Sequence, residues 1–191
     1  MARHNLREQI VEAGLKAFLE KGFNACGVRD ITDAAGAPTG SFYNHFASKE
    51  ALGAEIVERY ARENLRRKAL RDKTLPPLDR LRRHFAGLNQ MYAGLEYGRG
   101  CLLGNFSAEL ANRSPLIRER LAALFASWTR DIEDAVRDAQ ADGSMSSTTN
   151  PADVAAFLLD AYEGALLRAR VEKSGAPLDR FVMMAFTRLL A

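Results

Sequence analysis

The chain has 191 residues, 47% hydrophobic and 27% charged, with a formal net charge of +3. That is enough chain to bury a sizeable core, as one larger domain or two small ones, and no apolar run approaches the roughly 18 residues that a membrane span needs. Two cysteines, Cys26 and Cys101, make no disulfide framework, and the three histidines, His4, His45 and His84, join no cluster at ligand spacing, so neither a metal nor a cofactor is expected.

The charge is uneven. Residues 1–73 hold thirteen Lys/Arg against ten Asp/Glu, and residues 74–191 hold fourteen against fourteen. All of the formal excess therefore lies at the amino end, which suits a nucleic-acid-binding head on a neutral body. The N-terminus leads straight into a charged helix without an apolar signal segment, which points to the cytoplasm.

From about Arg3 to Lys21, Leu6, Ile10, Ala13, Ala17 and Phe18 recur at helical spacing, with Arg7, Glu8, Glu12, Lys16 and Glu20 opposite. This predicts an amphipathic helix closed by Gly22. Phe23 reads as a core plug, and Cys26 as a small buried residue without chemistry. From Val28 to Glu50 the chain reads as two short helices and the opening of a third. Val28, Ile31 and Ala35 form one buried face. Gly36 stands where a helix end wants positive φ, and Pro38 pushes Ala37 away from the α region. A second helix opening at Pro38 or Thr39 puts Phe42 and Phe46 on one face. Ser48 before Lys49-Glu50 is an N-cap for a long third helix.

Two short helices at a tight turn make a helix-turn-helix, whose second helix can lie in a DNA major groove. Thr39, Ser41 and Asn44 can bond base edges or phosphates. Tyr43 and His45 can reach phosphates, Gly40 lets the backbone approach closely, and Lys49 can neutralise a phosphate. Arg29, opening the first helix of the pair, is a further phosphate contact. A helical hairpin with a merely polar outer face is the alternative.

The stretch G-A-P-T-G-S-F-Y-N-H-F-A-S-K-E-A-L resembles the signature of the TetR/AcrR family of transcriptional regulators, roughly G-V-S-x-G-x-[LFI]-Y-x-[HY]-F-x-[SN]-K-E-x-L. Gly36, Gly40, Phe42, Tyr43, His45, Phe46, Ser48, Lys49, Glu50 and Leu52 match in place, and Ala37-Pro38 departs from Val-Ser. The resemblance is specific over about the first fifty residues. It implies an all-α protein with a three-helix head, a connecting helix and a helical ligand-binding and dimerisation domain. It also implies that Arg3 and His4 belong to a basic N-terminal arm.

The third helix is expected from Ser48 to about Asp72, with Leu52, Ile56, Tyr60 and Leu65 inward and a basic tail forming a solvated face. Thr74-Leu75-Pro76-Pro77 is the clearest break in the chain. The expected division is residues 1–50 for DNA binding, 51–75 for connection and 76–191 for ligand binding and dimerisation. Leu78, Leu81, Phe85, Leu88, Met91 and Tyr92 mark the next helix, followed by a Gly98-Arg99-Gly100 loop and an apolar helix from Cys101 to Asn112. Ser114-Pro115 opens a long helix to Asp142-Gly143, Asn150 caps one from Pro151, and Ala176-Pro177 opens the last. No stretch shows strand alternation, and the count is about nine helices.

Cys101, at a helix start beside Arg99, has the setting of a reactive thiolate. G-C-L-L-G-N-F-S-A-E-L also resembles a TetR subgroup that responds to reactive electrophiles. A small packing residue is the alternative. Asn105, one turn on, can orient a ligand carbonyl. Phe106, Tyr92, Trp128 and Tyr162 are candidate pocket walls, with core packing as the plainer role. Phe157, Leu158, Ala161, Tyr162, Ala165, Leu166 and Ala169, with Phe181, Met184 and Leu189, form two apolar bands that would not be left to water. The resemblance makes them the homodimer interface, and a two-fold dimer suits a palindromic operator.

The reading is a homodimeric repressor that binds a double-stranded DNA operator and is released by a small-molecule or electrophilic effector, with no membrane association and no catalysis. Two other classes are weighed against it. A helical enzyme would need a nucleophile–base pair, and no histidine is placed near Cys101. An interaction module without DNA activity would not need the polar face of the second motif helix.

Overall fold

A computed structural model describes residues 5–62, 67–146 and 148–190, and every regular element among them is helical. The order is α1 (Leu6–Lys21), α2 (Val28–Ala34), a 3-10 helix (Thr39–Asn44), α3 (Lys49–Arg62), α4 (Lys68–Arg71), α5 (Pro77–Gly94), α6 (Leu102–Leu110), α7 (Pro115–Ala141), α8 (Pro151–Glu172), α9 (Ala176–Met184) and a π-helical turn (Ala185–Leu189). The all-α class read from the sequence is the class observed. Arg3, His4 and Leu65 lie outside the described residues.

The start and stop residues explain most boundaries. Asn5 caps α1 by accepting from the Arg7 N–H at 3.1 Å, and Ser48 caps α3 by accepting from Ala51. Ser114 and Asn150 do the same for α7 and α8, each with proline at the first helical position. Gly36, at φ 64°, ends the α2 region, and Ala37 N–H reaches back to Thr32 O at 2.9 Å.

The pitch of one expected helix is tighter than that of an α-helix, and the continuity of another falls on residues outside the description. The second motif helix is 3-10 rather than α, six residues long, with Ser41 N–H bonded to Pro38 O and His45 N–H to Phe42 O. Phe42 and Phe46 still share the inner face, both buried with ring centroids 5.6 Å apart. The expected single helix over 48–72 is described as α3 and α4, with residues 63–66 outside the description.

The chain divides into two compact units. The first takes residues 1–63 and 102–123, and the second takes 64–101 and 124–191. In the first, α1 packs on α2 and α3. Arg7 forks onto the Glu55 carboxylate and lies 5.0 Å from the centre of the Phe46 ring, and Arg59 pairs with Glu8. Ile10, Phe18, Ile31, Phe42, Leu52 and Ile56 are fully enclosed.

In the second unit the core gathers around Phe85, whose ring lies 5.2 Å from Tyr162 and 4.9 Å from Phe181. The basic tail expected to be a solvated face is instead tied down. Arg67, only 8% exposed, donates from Nε to Asp131 at 2.8 Å and also reaches Ser127. Arg71 donates to the same carboxylate at 2.9 Å. Lys73 and the buried Arg80 share Asp138, and they hold its carboxyl below the usual range, Lys73 contributing most. Arg67 is drawn in because the buried Asp131 would otherwise be uncompensated, while Arg71 and Lys73 reach their acids with side chains still largely in solvent.

Asp131→Ala strips the buried Arg67 of its charged partner and is expected to lower stability by about 3 kcal/mol. Urea unfolding of the purified variant checks this, and an unchanged midpoint would show that the pair holds nothing.

Candidate functional site

The side chains with the clearest functional geometry surround the joint between α1 and α2, residues Gly22 to Gly27. A short connection between helices leaves backbone groups unpaired, and here two side chains of opposite charge take them. Glu109, on α6, accepts from the N–H groups of Phe23 and Asn24 at 3.2 and 2.7 Å. Lys49, at the start of α3, donates to the carbonyls of Phe23 and Cys26 at 3.0 and 2.8 Å. Its ammonium lies 4.3 Å from the centre of the Phe23 ring. That ring meets Phe18 at 5.2 Å and Phe106 at 5.4 Å. Gly22 enters the joint at φ 82°, and a Cβ there would come within 2.6 Å of a Glu109 oxygen, so the position excludes every other residue twice over.

From this joint α2 starts with Asp30 accepting from the Gly27 N–H at 2.7 Å. The Lys21 ammonium at 2.9 Å, more than that N–H, holds the Asp30 carboxyl below its usual range. Burial, with Asp30 adding to it, pushes the Cys26 thiol up, as befits a packing residue.

The polar residues expected on the second motif helix do come to one outer face. Thr39, Gly40, Tyr43 and Asn44 are exposed, and Ser41 and His45 are half-buried. Tyr43 is 61% exposed although its ring leans on Phe42 at 5.3 Å. The Thr32 hydroxyl donates to Arg29 O and lies 3.3 Å from the Thr39 hydroxyl. One hydroxyl carries one proton, so Thr39 is the donor in that pair and keeps acceptor capacity. Ser41 donates to Pro38 O at 2.6 Å. A Cβ on Gly40 would meet nothing within 4 Å, so the glycine opens space in front of the backbone. Arg29 is exposed, with only a 3.7 Å contact to Asp33. Lys49 has a different position from the one expected. Its charge is committed inward to two carbonyls rather than outward to a phosphate.

The six residues expected to line a ligand pocket are divided between the two units. Phe106 and Asn105 belong to the first unit, where Phe106 packs on Phe18 and Phe23. Tyr92, Trp128, Tyr162 and Cys101 belong to the second unit and are buried. Trp128 Nε1 donates to His84 Nε2 at 3.0 Å, and the Tyr162 hydroxyl donates to Asn89 at 3.0 Å. These aromatic residues are core with satisfied polar ends.

Beside Cys101 stands a residue that the sequence reading missed, Glu163 of α8. The Cys101 thiol donates to its carboxylate, and burial pushes that carboxyl up to about 7. The folded chain thus prefers the protonated acid. This favourable contribution is present below the ordinary carboxyl range and is lost as pH rises through about 7. The sequence clue was one of two acids, with Asp160, inside the apolar band from Phe157 to Ala169.

The second apolar feature is a groove of about 500 Å³ along α8, α9 and the π-helical turn. Its lining includes Phe157, Ala161, Ala165, Phe181, Met184 and Leu189. The expected band is split by helical phase. Leu158, Tyr162, Leu166 and Ala169 turn inward, while Phe157 stays 59% and Met184 51% exposed. Among the described residues no helix is long and apolar enough to cross a membrane.

Two family descriptions match the chain. "Bacterial regulatory proteins, tetR family" covers residues 10–56, and "Tetracyclin repressor-like, C-terminal domain" covers residues 77–185. The chain is 38% identical to the HTH-type transcriptional repressor DhaR of Mycobacterium sp. (strain GP1), over 100% of this chain and 95% of that protein. It is 34% identical to the transcriptional regulator AcuR of Cereibacter sphaeroides, over 91% and 80% of the two chains. A solved regulatory protein TetR from Rhodobacter sphaeroides superposes with a TM-score of 0.88 at 33% identity, covering 96% of this chain and 98% of that one. The reduced form of Escherichia coli NemR gives 0.84 at 25% identity, covering 98% of each.

Glu109→Ala removes the acceptor of two backbone N–H groups and is expected to cost about 2 kcal/mol, with Glu109→Gln, which keeps one amide oxygen, costing less than half as much. Thermal unfolding of the three proteins checks the order, and an unperturbed Glu109→Ala would show that water serves the joint as well.

Proposed function

The chain belongs to the TetR family of transcriptional regulators, and from that membership we propose that it works as a homodimeric repressor of a palindromic operator, released by a small effector. As in the relatives named above, this is a regulator and not an enzyme. Residues 1–50 read DNA, 51–75 connect, and 76–191 bind the effector and the twin chain. The observation that carries the proposal is the outer face of the 3-10 helix. Its apolar side is locked by Phe42 and Phe46, and its polar side presents Thr39, Gly40, Tyr43 and Asn44 to solvent.

In this reading Thr39, Ser41 and Asn44 meet base edges or phosphates, and Tyr43, His45 and Arg29 meet the backbone. The open space at Gly40 lets the duplex come close. The groove on α8 and α9 takes the same surface of a second copy. A patch of that area and apolar character, with Arg168, Arg180 and Arg188 at its margin, fits a self-complementary two-fold contact. The effector acts in the region of Cys101, and electrophiles are the class favoured by its thiol. Its effect reaches the head through α6, which begins at the next residue and ends on the joint through Glu109. An effector can shift operator binding only by the difference in its affinity for the two states.

Fluorescence anisotropy with the DNA upstream of the protein's own gene tests this. Binding is expected to weaken steadily with salt. Tyr43→Ala is expected to lower affinity about tenfold. Gly40→Ala should leave the unfolding curve unchanged, since its methyl meets nothing in the free protein, yet weaken binding comparably. Sequence-indifferent binding, or a Gly40→Ala variant that binds like the parent, would count against the assignment.

A further inference from the structure

The two hydroxyls on the outer face of the 3-10 helix have their protons directed into the protein. Thr32, on α2, is 0% exposed. Its hydroxyl lies 3.1 Å from Arg29 O and 3.3 Å from the Thr39 hydroxyl. A carbonyl oxygen only accepts, so the Thr32 proton belongs to Arg29 O. Turned toward Thr39 instead, it would leave two oxygens facing each other in an enclosed site with no proton between them. The bond between the two threonines is therefore donated by Thr39. Ser41 is committed in the same way, giving its proton to Pro38 O at 2.6 Å. Thr39 is exposed and Ser41 half-buried. A Cβ on Gly40, between them, would meet nothing within 4 Å, so the backbone there is open to approach.

What Thr39 offers outward is thus a lone pair. Phosphate oxygens, guanine O6 and N7 and thymine O4 are all acceptors, and each would need a hydroxyl proton. The donors on the major-groove edge are the amino groups, N6 of adenine and N4 of cytosine. Resting on the DNA-binding reading above, we propose that Thr39 reads an adenine or cytosine amino group, and that Thr32 is the positioning residue that makes it an acceptor. For Thr39 to donate to guanine or thymine, the enclosed Thr32 oxygen would have to give up its donor. That cost falls on the wrong bases alone, which is how a binding site discriminates. Ser41, its own proton held by Pro38 O, does not supply the missing donor. The choice of base is then set in part from α2, by a side chain that never touches DNA. One strand of each half-site is expected to carry a position that takes A or C and rejects G or T.

The test is selection of bound duplexes from a randomised pool by the full-length protein and by Thr39→Val, Thr32→Val and Thr32→Ser, followed by anisotropy on the duplexes obtained. The parent is expected to favour A or C over G or T roughly fivefold at one position of each half-site. Thr39→Val should lose that preference. Thr32→Val frees the Thr39 proton, and it should abolish the preference while binding persists. Thr32→Ser keeps the hydroxyl and should keep the preference. Replacing the preferred base by its amino-free analogue, purine for adenine or 2-pyrimidinone for cytosine, should cost the parent the same roughly fivefold and Thr39→Val nothing. Circular dichroism identifies a misfolded Thr32→Val, and the amino-free duplexes with Thr39→Val and Thr32→Ser then decide. A Thr32→Val profile that overlays the parent, or an A-or-C preference that survives in Thr39→Val, overturns the proposal. A parent that enriches no sequence at all refutes the DNA-binding reading itself, which is a separate result.

Discussion

The short joint between α1 and α2 is the constraint on which the DNA-binding head depends. Six residues connect two helices there, and beyond one bond from the Cys26 N–H to Phe23 O at 3.3 Å their N–H and C=O groups rely on partners outside the joint. A carboxylate from α6 takes the donors and an ammonium from α3 takes two acceptors, so the orientation of α2 is fixed by elements far away in sequence. Hydrogen bonds to charged groups are stronger than neutral ones and more demanding in position. The Phe18, Phe23 and Phe106 rings fill the space beneath. With the joint set, Gly36 can turn the chain at φ 64° and present the 3-10 helix with its aromatic side down.

This arrangement gives Lys49 and Glu109 roles that their sequence positions conceal. Lys49 sits in the motif beside residues that face outward, and a lysine there reads naturally as a phosphate contact. Its carbonyl partners lie more than twenty residues earlier, which no local pattern reveals. Glu109 looks like an isolated acid at the end of an apolar helix for the same reason. Helix caps, by contrast, are local, and Ser48, Ser114 and Asn150 were legible because a cap and its N–H partner are two or three residues apart. The all-α class and the helix-turn-helix were legible from spacing and from the motif. The 3-10 geometry was not, since a stretch of six residues is too short for its apolar spacing to tell the two pitches apart. Phe106 packs on Phe18 and Phe23, and the sequence left this open because an aromatic residue at helical spacing suits a core as well as a cavity. Glu163 escaped notice because its thiol partner sits sixty-two positions away in the chain.

The chain passes between the two units at residues 101–102, where α6 begins, and again within α7. Under the proposed function the polar side of the 3-10 helix would contact DNA, and the apolar groove on α8 and α9 would set the spacing of two heads in a dimer. The buried thiol and its carboxylate lie in the second unit. α6 starts at the residue after that thiol, and its far end holds the backbone of the joint through Glu109. A shift of that helix by a fraction of an ångström would lengthen two charge-assisted hydrogen bonds at once. An energy of that order, about 2 kcal/mol, changes an equilibrium some thirtyfold, which is within the range of ordinary allosteric coupling.

The most direct measurement is amide hydrogen exchange at Phe23 and Asn24 in the operator-bound protein, before and after treatment with N-ethylmaleimide. If the grip of Glu109 on the joint transmits the signal, both amides are protected on DNA and exchange roughly tenfold faster once the operator is released. Release of the operator with both amides as protected as before would contradict that mechanism.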